Sequence, residues 1–183
     1  MIASSVNMSL VAVDSQVYSY LISVWVPDGP DAADPLKDEK LALVWTFFYC
    51  PETFYIPPTV THEYQQIQDT AKRTAHEDFV LVAPLNPVNQ QEVDRLTLHY
   101  QQFHPGPKNQ SDCRIVAEAE SCGCGILLTF DSTLRTRVNG KTNTIEIIAP
   151  SEYWGRLAIP RGSRPNKVPH STNPLVTKTW WKW

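Results

Sequence analysis

The chain has no run of about 18 apolar residues, which excludes a hydrophobic helix long enough to cross a bilayer. No early basic cluster precedes an apolar stretch, and Asp14 interrupts the first one. A secretory signal is therefore not expected, and the cytoplasm is. Cysteine is sparse at four residues, Cys50, Cys113, Cys122 and Cys124. Three of them cluster around one predicted helix and its exit, a poor layout for a secreted disulfide framework. Cys122-Gly123-Cys124 lacks the second pair or nearby His that would complete a zinc site. Excess basic charge is missing too. The formal net charge is −3, so no bulk basic character announces a nucleic-acid binder, although an acidic metal site would itself push the balance this way. Glycine is scarce at 7 against 15 prolines, which gather at Pro27 to Pro35, Pro84 to Pro87 and the last third of the chain. Internal repeats and low-complexity segments are absent.

What remains is a globular composition, 183 residues with 42% hydrophobic content, enough for one domain with a real core and a short extension. Strand-like and helix-like stretches alternate. Leu10 to Val13, Thr53 to Ile56, Phe79 to Ala83, Ile126 to Phe130 and Thr144 to Ile148 read as strands. Helices are expected from Ser15 to about Trp25, Leu36 to Tyr49, from Pro57-Pro58 onward, Pro87 to about Phe103, from near Ser111 or Asp112, and over Ser132 to Arg135. In the third helix Val60, Tyr64, Ile67 and Ala71 form the inward stripe. The alternation implies an α/β fold with a central parallel sheet of about five strands flanked by helices.

Four carboxylates stand where a charge is expensive. Asp14 and Asp131 follow the apolar runs Leu10-Val11-Ala12-Val13 and Ile126-Leu127-Leu128-Thr129-Phe130. Glu63 shares the inward face of its helix with Val60 and Ile67. Asp112 falls in the first turn of the helix that starts near Ser111 or Asp112. Each has a simpler reading: Glu63 at a stripe edge reaching water, Asp112 capping a helix N-terminus. No Lys or Arg adjoins Asp14, Glu63 or Asp131 in sequence. If the four meet, their repulsion calls for a divalent cation, and carboxylate oxygens suit Mg²⁺ or Mn²⁺.

Val13-Asp14-Ser15, the Glu63 segment from Tyr55 to Glu63, and Asp112-Cys113-Arg114-Ile115-Val116-Ala117-Glu118-Ala119 with Gly125 to Asp131 together resemble a PIN domain. Ile148-Ala149-Pro150-Ser151-Glu152-Tyr153 is similar to that family's last strand and turn. Gln16 departs from the pattern, standing where the family usually has Asn. The resemblance covers about residues 10–153, read as a PIN-like three-layer domain (1–153) followed by an extension (154–183). It implies a metal-dependent endoribonuclease that hydrolyses RNA phosphodiester bonds with Mg²⁺ or Mn²⁺. Asp14, Glu63, Asp112 and Asp131 would be catalytic and metal-binding, with Ser15 and Thr129 in support. It also implies a homodimer and the toxin half of a toxin–antitoxin pair, with an antitoxin protein as partner and no membrane association. The alternative is a non-catalytic PIN-fold scaffold or nucleic-acid-binding protein. A phosphatase using Asp14 as nucleophile fits poorly, since that chemistry wants a second Asp where Gln16 stands.

From Tyr153 onward there are six basic residues and no Asp or Glu, ending Thr179-Trp180-Trp181-Lys182-Trp183. Such a tail could track a phosphate backbone and stack bases. Docking of the tryptophans on the domain or on a partner subunit is the simpler expectation.

Overall fold

Main-chain hydrogen bonds between short apolar runs set the frame. β1 (Val11–Val13), β2 (Ile126–Leu128) and β3 (Glu146–Ile148) form a parallel sheet in that spatial order. The computed structural model describes residues 10–23, 29–51, 54–80 and 87–183. The register is level, so Val13, Leu128 and Ile148 lie side by side at the strand ends. The strands are nearly all apolar because helices bury them, as parallel sheets require.

The α/β class matches the sequence pattern, but the described residues hold three strands rather than five. The stretch expected as a strand at Thr53 to Ile56 contributes one parallel bridge, Tyr55 to Ala12; Thr53 itself lies outside the described residues. Phe79 was expected in a strand running to Ala83. Phe79 and Val80 instead close helix α4 (Thr70–Val80), and Ala83 is outside the described residues. A short apolar run does not distinguish a strand from a helix end. Here the helix wins because Asp69 caps it, accepting from the Lys72 N–H at 3.0 Å. The Phe79 ring then packs against Tyr18 with centroids 5.7 Å apart.

The expected long helix with the stripe Val60, Tyr64, Ile67 and Ala71 is two helices. α3 (Pro58–Gln65) buries Val60 and Tyr64 and then stops, and Ala71 is exposed on α4. α1 (Ser15–Ser23) follows β1 directly; its expected continuation to Trp25 lies outside the described residues. α5 (Gln90–Gln101) buries Val93, Leu96 and Tyr100 against α6 (Gln110–Ser121). Gly123, at φ 84°, ends α6. Its N–H reaches the Glu120 carbonyl at 2.9 Å and the Cys124 N–H reaches Ala119 at 3.0 Å. A left-handed residue is needed there, and glycine takes that conformation without a side-chain clash. The turn delivers the chain into β2, and α7 (Ser132–Val138) follows.

α2 (Lys37–Tyr49) is apolar on most of its sides because it is sandwiched. Leu43 faces the main core. Ala42, Val44, Phe48 and Tyr49 face a second cluster built with Trp154 of α8 (Pro150–Leu157), Leu175 and Trp181. The C-terminal tail thus docks on its own chain. The Lys167 N–H bonds the Phe48 carbonyl at 2.9 Å, and its ammonium bonds the Cys50 carbonyl at 2.7 Å. Both satisfy acceptors at the α2 C-terminus, where a positive charge is favourable. Trp183 packs at a tilt against Trp45 with centroids 4.6 Å apart. Trp180 lies so close to Gly29 (φ 67°) that a Cβ there would sit 2.8 Å from the indole. Among the described residues, no helix is long and apolar enough to cross a membrane.

Candidate metal centre

The level register places the site. Because Val13 and Leu128 are paired, the next residues along, Asp14 and Thr129, are neighbours at the carboxyl ends of their strands. The Asp14 N–H bonds the Leu128 carbonyl at 3.2 Å, and the Thr129 N–H bonds Ile148 at 3.1 Å. Open parallel sheets bind ligands at this edge. Thr129 is wholly buried, and its hydroxyl accepts from the Asp131 N–H at 2.9 Å. One side chain therefore touches both strand-end aspartates, since the same hydroxyl also favours the charged form of Asp14.

Asp14 is buried, 6% exposed. Its Oδ1 accepts from the Val17 N–H at 2.7 Å, which caps α1. Burial still dominates, and together with the charges of Asp112 and Asp131 it pushes the Asp14 carboxyl up to about 6. Gln16 is exposed, so the orientation of Asp14 comes from Val17 and Thr129 and not from the position where the PIN pattern has Asn.

Asp131 caps α7, accepting from the N–H groups of Thr133 at 2.6 Å and Leu134 at 3.0 Å. Asp112 lies in the first turn of α6, but among the described residues no backbone N–H donates to its carboxylate, so capping does not account for it. Its carboxyl is raised by burial first and then by Asp131, with Glu63 adding to the rise and the neighbouring His104 opposing it. Glu63 is half-buried and doubly tethered: the hydroxyl of Ser15, on α1, and that of Ser111, on α6, each donate to one of its oxygens. The four acids are thus linked by mutual repulsion at one edge, and Ser15 and Thr129 each bond a member of the set. Among the described residues, none of the four forms a salt bridge with Lys or Arg.

Two contributors escaped the sequence reading. Ser111 is one. His104 is the other: it is 2% exposed, and its Nε2 lies 3.8 Å from Asp112 Oδ2. One ligand atom each from His104, Asp112 and Asp131 lie within 4.8 Å of one another. In the sequence, His104-Pro105-Gly106-Pro107 carries only a helix-breaking signal, and nothing there ties the imidazole to Asp112.

Two further buried carboxylates on α6 are structural. Glu118 accepts from the Thr59 N–H at 2.8 Å and the Thr59 hydroxyl at 2.7 Å, and pairs with Arg114 at 3.3 Å. It satisfies a donor at the start of α3 and so sets that helix, and Glu63 with it, against α6. Glu120 takes the Tyr100 hydroxyl and the N–H groups of Asn143 at 2.8 Å and Thr144 at 2.9 Å, fixing the turn into β3. Glu118→Ala strands both Thr59 donors, and urea unfolding is expected to show a loss of about 2–3 kcal/mol. An unchanged midpoint would mean that α3 is held by its apolar face alone.

The donor set fits a hard divalent cation: clustered carboxylates, Asp14 deeply buried, with no Lys or Arg among the described residues paired to them. An open cleft of 720 Å³ lined by Pro58, Thr59, His62, Gln110, Ser111 and Arg114, among others, runs beside the Ser111 hydroxyl that tethers Glu63. No protein-family model matches the chain, and no curated protein matches it significantly.

Proposed function

We propose that the chain is a PIN-type metal-dependent endoribonuclease that hydrolyses RNA phosphodiester bonds with Mg²⁺ or Mn²⁺. The observation that carries this reading is the convergence of Asp14, Asp112 and Asp131 at the carboxyl edge of a parallel sheet, with no Lys or Arg among the described residues paired to them. A divalent cation bound there would neutralise the scissile phosphate and acidify an attacking water. Asp14 and Asp131 would be its main protein ligands, with Asp112 as a third. Glu63, held by Ser15 and Ser111, would orient the attacking water by accepting its hydrogen bond. Thr129 would keep Asp14 and Asp131 in their relative positions. The open cleft beside Ser111 is of a size to take a nucleotide, with the Arg114 guanidinium and His62 on its wall. A toxin paired with an antitoxin protein, acting as a homodimer, is the setting that the resemblance implies.

The test is cleavage of a mixed single-stranded RNA pool with Mn²⁺, with EDTA, and with the Asp131→Asn variant. Asn caps a helix as well as Asp does, so α7 should survive the change. Cutting is expected with Mn²⁺ and lost in the other two arms. Cutting that persists in EDTA, or that is undiminished in Asp131→Asn, would refute the assignment.

A further inference from the structure

His104 is the least explained polar group near the site. Its backbone is fixed: its N–H bonds the Tyr100 carbonyl at 3.0 Å, and its carbonyl accepts from the Cys113 thiol at 3.7 Å. Pro105 follows, and Gly106 (φ 121°) turns the chain into the start of α6. The ring is buried, yet among the described residues neither ring nitrogen has a hydrogen-bond partner. Burying an imidazole without partners is costly, and such groups in folded proteins call for a missing ligand. At 3.8 Å the approach of Nε2 to Asp112 is too long for a hydrogen bond. It suits two donors sharing one ion: ligand atoms each about 2.0–2.2 Å from a metal are separated by at most about 4.4 Å. The 4.8 Å spread of the His104, Asp112 and Asp131 atoms needs only a small inward movement to meet that limit.

We infer that His104 supplies an imidazole nitrogen to the cation held by Asp112 and Asp131, and that the site therefore selects Mn²⁺ and other first-row transition ions over Mg²⁺. This rests on the reading that the carboxylate cluster holds a divalent cation. Imidazole suits transition ions, whereas Mg²⁺ takes oxygen ligands and keeps its waters. Four carboxylates alone would make no such distinction through a nitrogen donor. The expected preference is thus a property of the turn between α5 and α6, outside the strand-end motifs.

The experiment is pulsed EPR of the full chain loaded with Mn²⁺, with histidine at natural abundance and selectively labelled with ¹⁵N, alongside Mn²⁺ and Mg²⁺ titrations by calorimetry. The wild type should show nitrogen modulation that changes with the label. His104→Gln should lose it and weaken Mn²⁺ binding by about tenfold or more while changing Mg²⁺ binding far less. Mn²⁺ binding without nitrogen modulation would overturn the role of His104 and leave the carboxylate site standing. So would a histidine signal that survives in His104→Gln. Failure of the wild type to bind Mn²⁺ at all would overturn the nuclease reading along with it. The wild-type spectrum alone decides the coordination, so a variant that fails to fold leaves the test intact.

Discussion

Asp14→Asn is expected to lose RNA cleavage by two to three orders of magnitude, on the scale of removing a key electrostatic group, and to melt at a higher temperature than the wild type in metal-free buffer near pH 7.5. The two halves have one cause. In the folded protein the Asp14 carboxyl is pushed up to about 6 by burial, against 3.8 as its ordinary value. The folded state therefore holds this proton more tightly than the unfolded chain does. Below the ordinary value both states are protonated and nothing is lost. As pH rises from there to about 6, stability falls, and above that the penalty is complete at about 3 kcal/mol. Asn removes the charge, keeps an oxygen for the Val17 N–H, and so relieves the penalty. A gain of about 2–3 kcal/mol translates into roughly 5–10 °C for a chain of this size. The gain should vanish below pH 4, where wild type and variant are both neutral at this position. Mn²⁺ should reverse the order by stabilising the wild type and not the variant, since ligand binding to the native state adds to its stability. Thermal melts at pH 3.5, 5 and 7.5, with and without Mn²⁺, read all of this. A variant less stable than the wild type at pH 7.5 without metal would show that Asp14 is a structural cap and not a strained ligand.

Removal of residues 170–183 is expected to lower the melting temperature by more than about 10 °C. Leu175 is wholly buried and Trp181 is 3% exposed, so both are core residues of the second cluster. Trp181 packs on Phe48 at 4.5 Å, and its indole N–H bonds the Leu175 carbonyl at 2.9 Å. Trp183 packs against both Trp45 and Trp154, donates to the Ile159 carbonyl at 2.8 Å, and carries Arg161 over its ring at 4.4 Å. Truncating one buried tryptophan to alanine costs about 3–5 kcal/mol. Losing the segment also uncovers Phe48 and Trp154 on the outer face of α2 and α8, so the total is a large share of the 5–15 kcal/mol that hold a typical domain folded. Trp181→Ala should show most of the effect alone. Intrinsic fluorescence would shift red in both variants as the remaining indoles meet water. An unchanged melting temperature together with weaker RNA retention would instead release these indoles for base stacking.

The sequence carried the strand-end aspartates clearly. Apolar runs that stop at Asp14 and at Thr129-Phe130-Asp131 predict a sheet edge, and a parallel sheet brings those ends together. Glu63 was legible from its face on α3, although the stripe was read too far, across the stop at Gln65. The Asp69 cap before Thr70 was the available signal for two helices, and the apolar pairing of Ile67 with Val60 masked it. The run from Phe79 had no periodicity to expose its helical state. His104 and Ser111 could not have been found this way. Their place beside the acids depends on how tightly the chain turns between α5 and α6 and on where α3 docks, and both are tertiary facts. The tail was ambiguous because basic and aromatic residues serve an interface and a nucleic-acid track equally well. The carbonyls at the α2 C-terminus decided for docking, and no local pattern in the tail announces them.

The level strand ends make the site a matter of backbone exchange as well as side chains. The amides of Asp14 and Thr129 are bonded within the sheet, to Leu128 and Ile148. Such amides give up their hydrogens to solvent only when the sheet itself opens. Glu63 is different, for its oxygens are held by two hydroxyls on separate helices and, among the described residues, by no main-chain donor. The centre therefore has two tiers of mobility: a floor as long-lived as the fold itself, and one carboxylate on its rim free to swing whenever α3 breathes against α6.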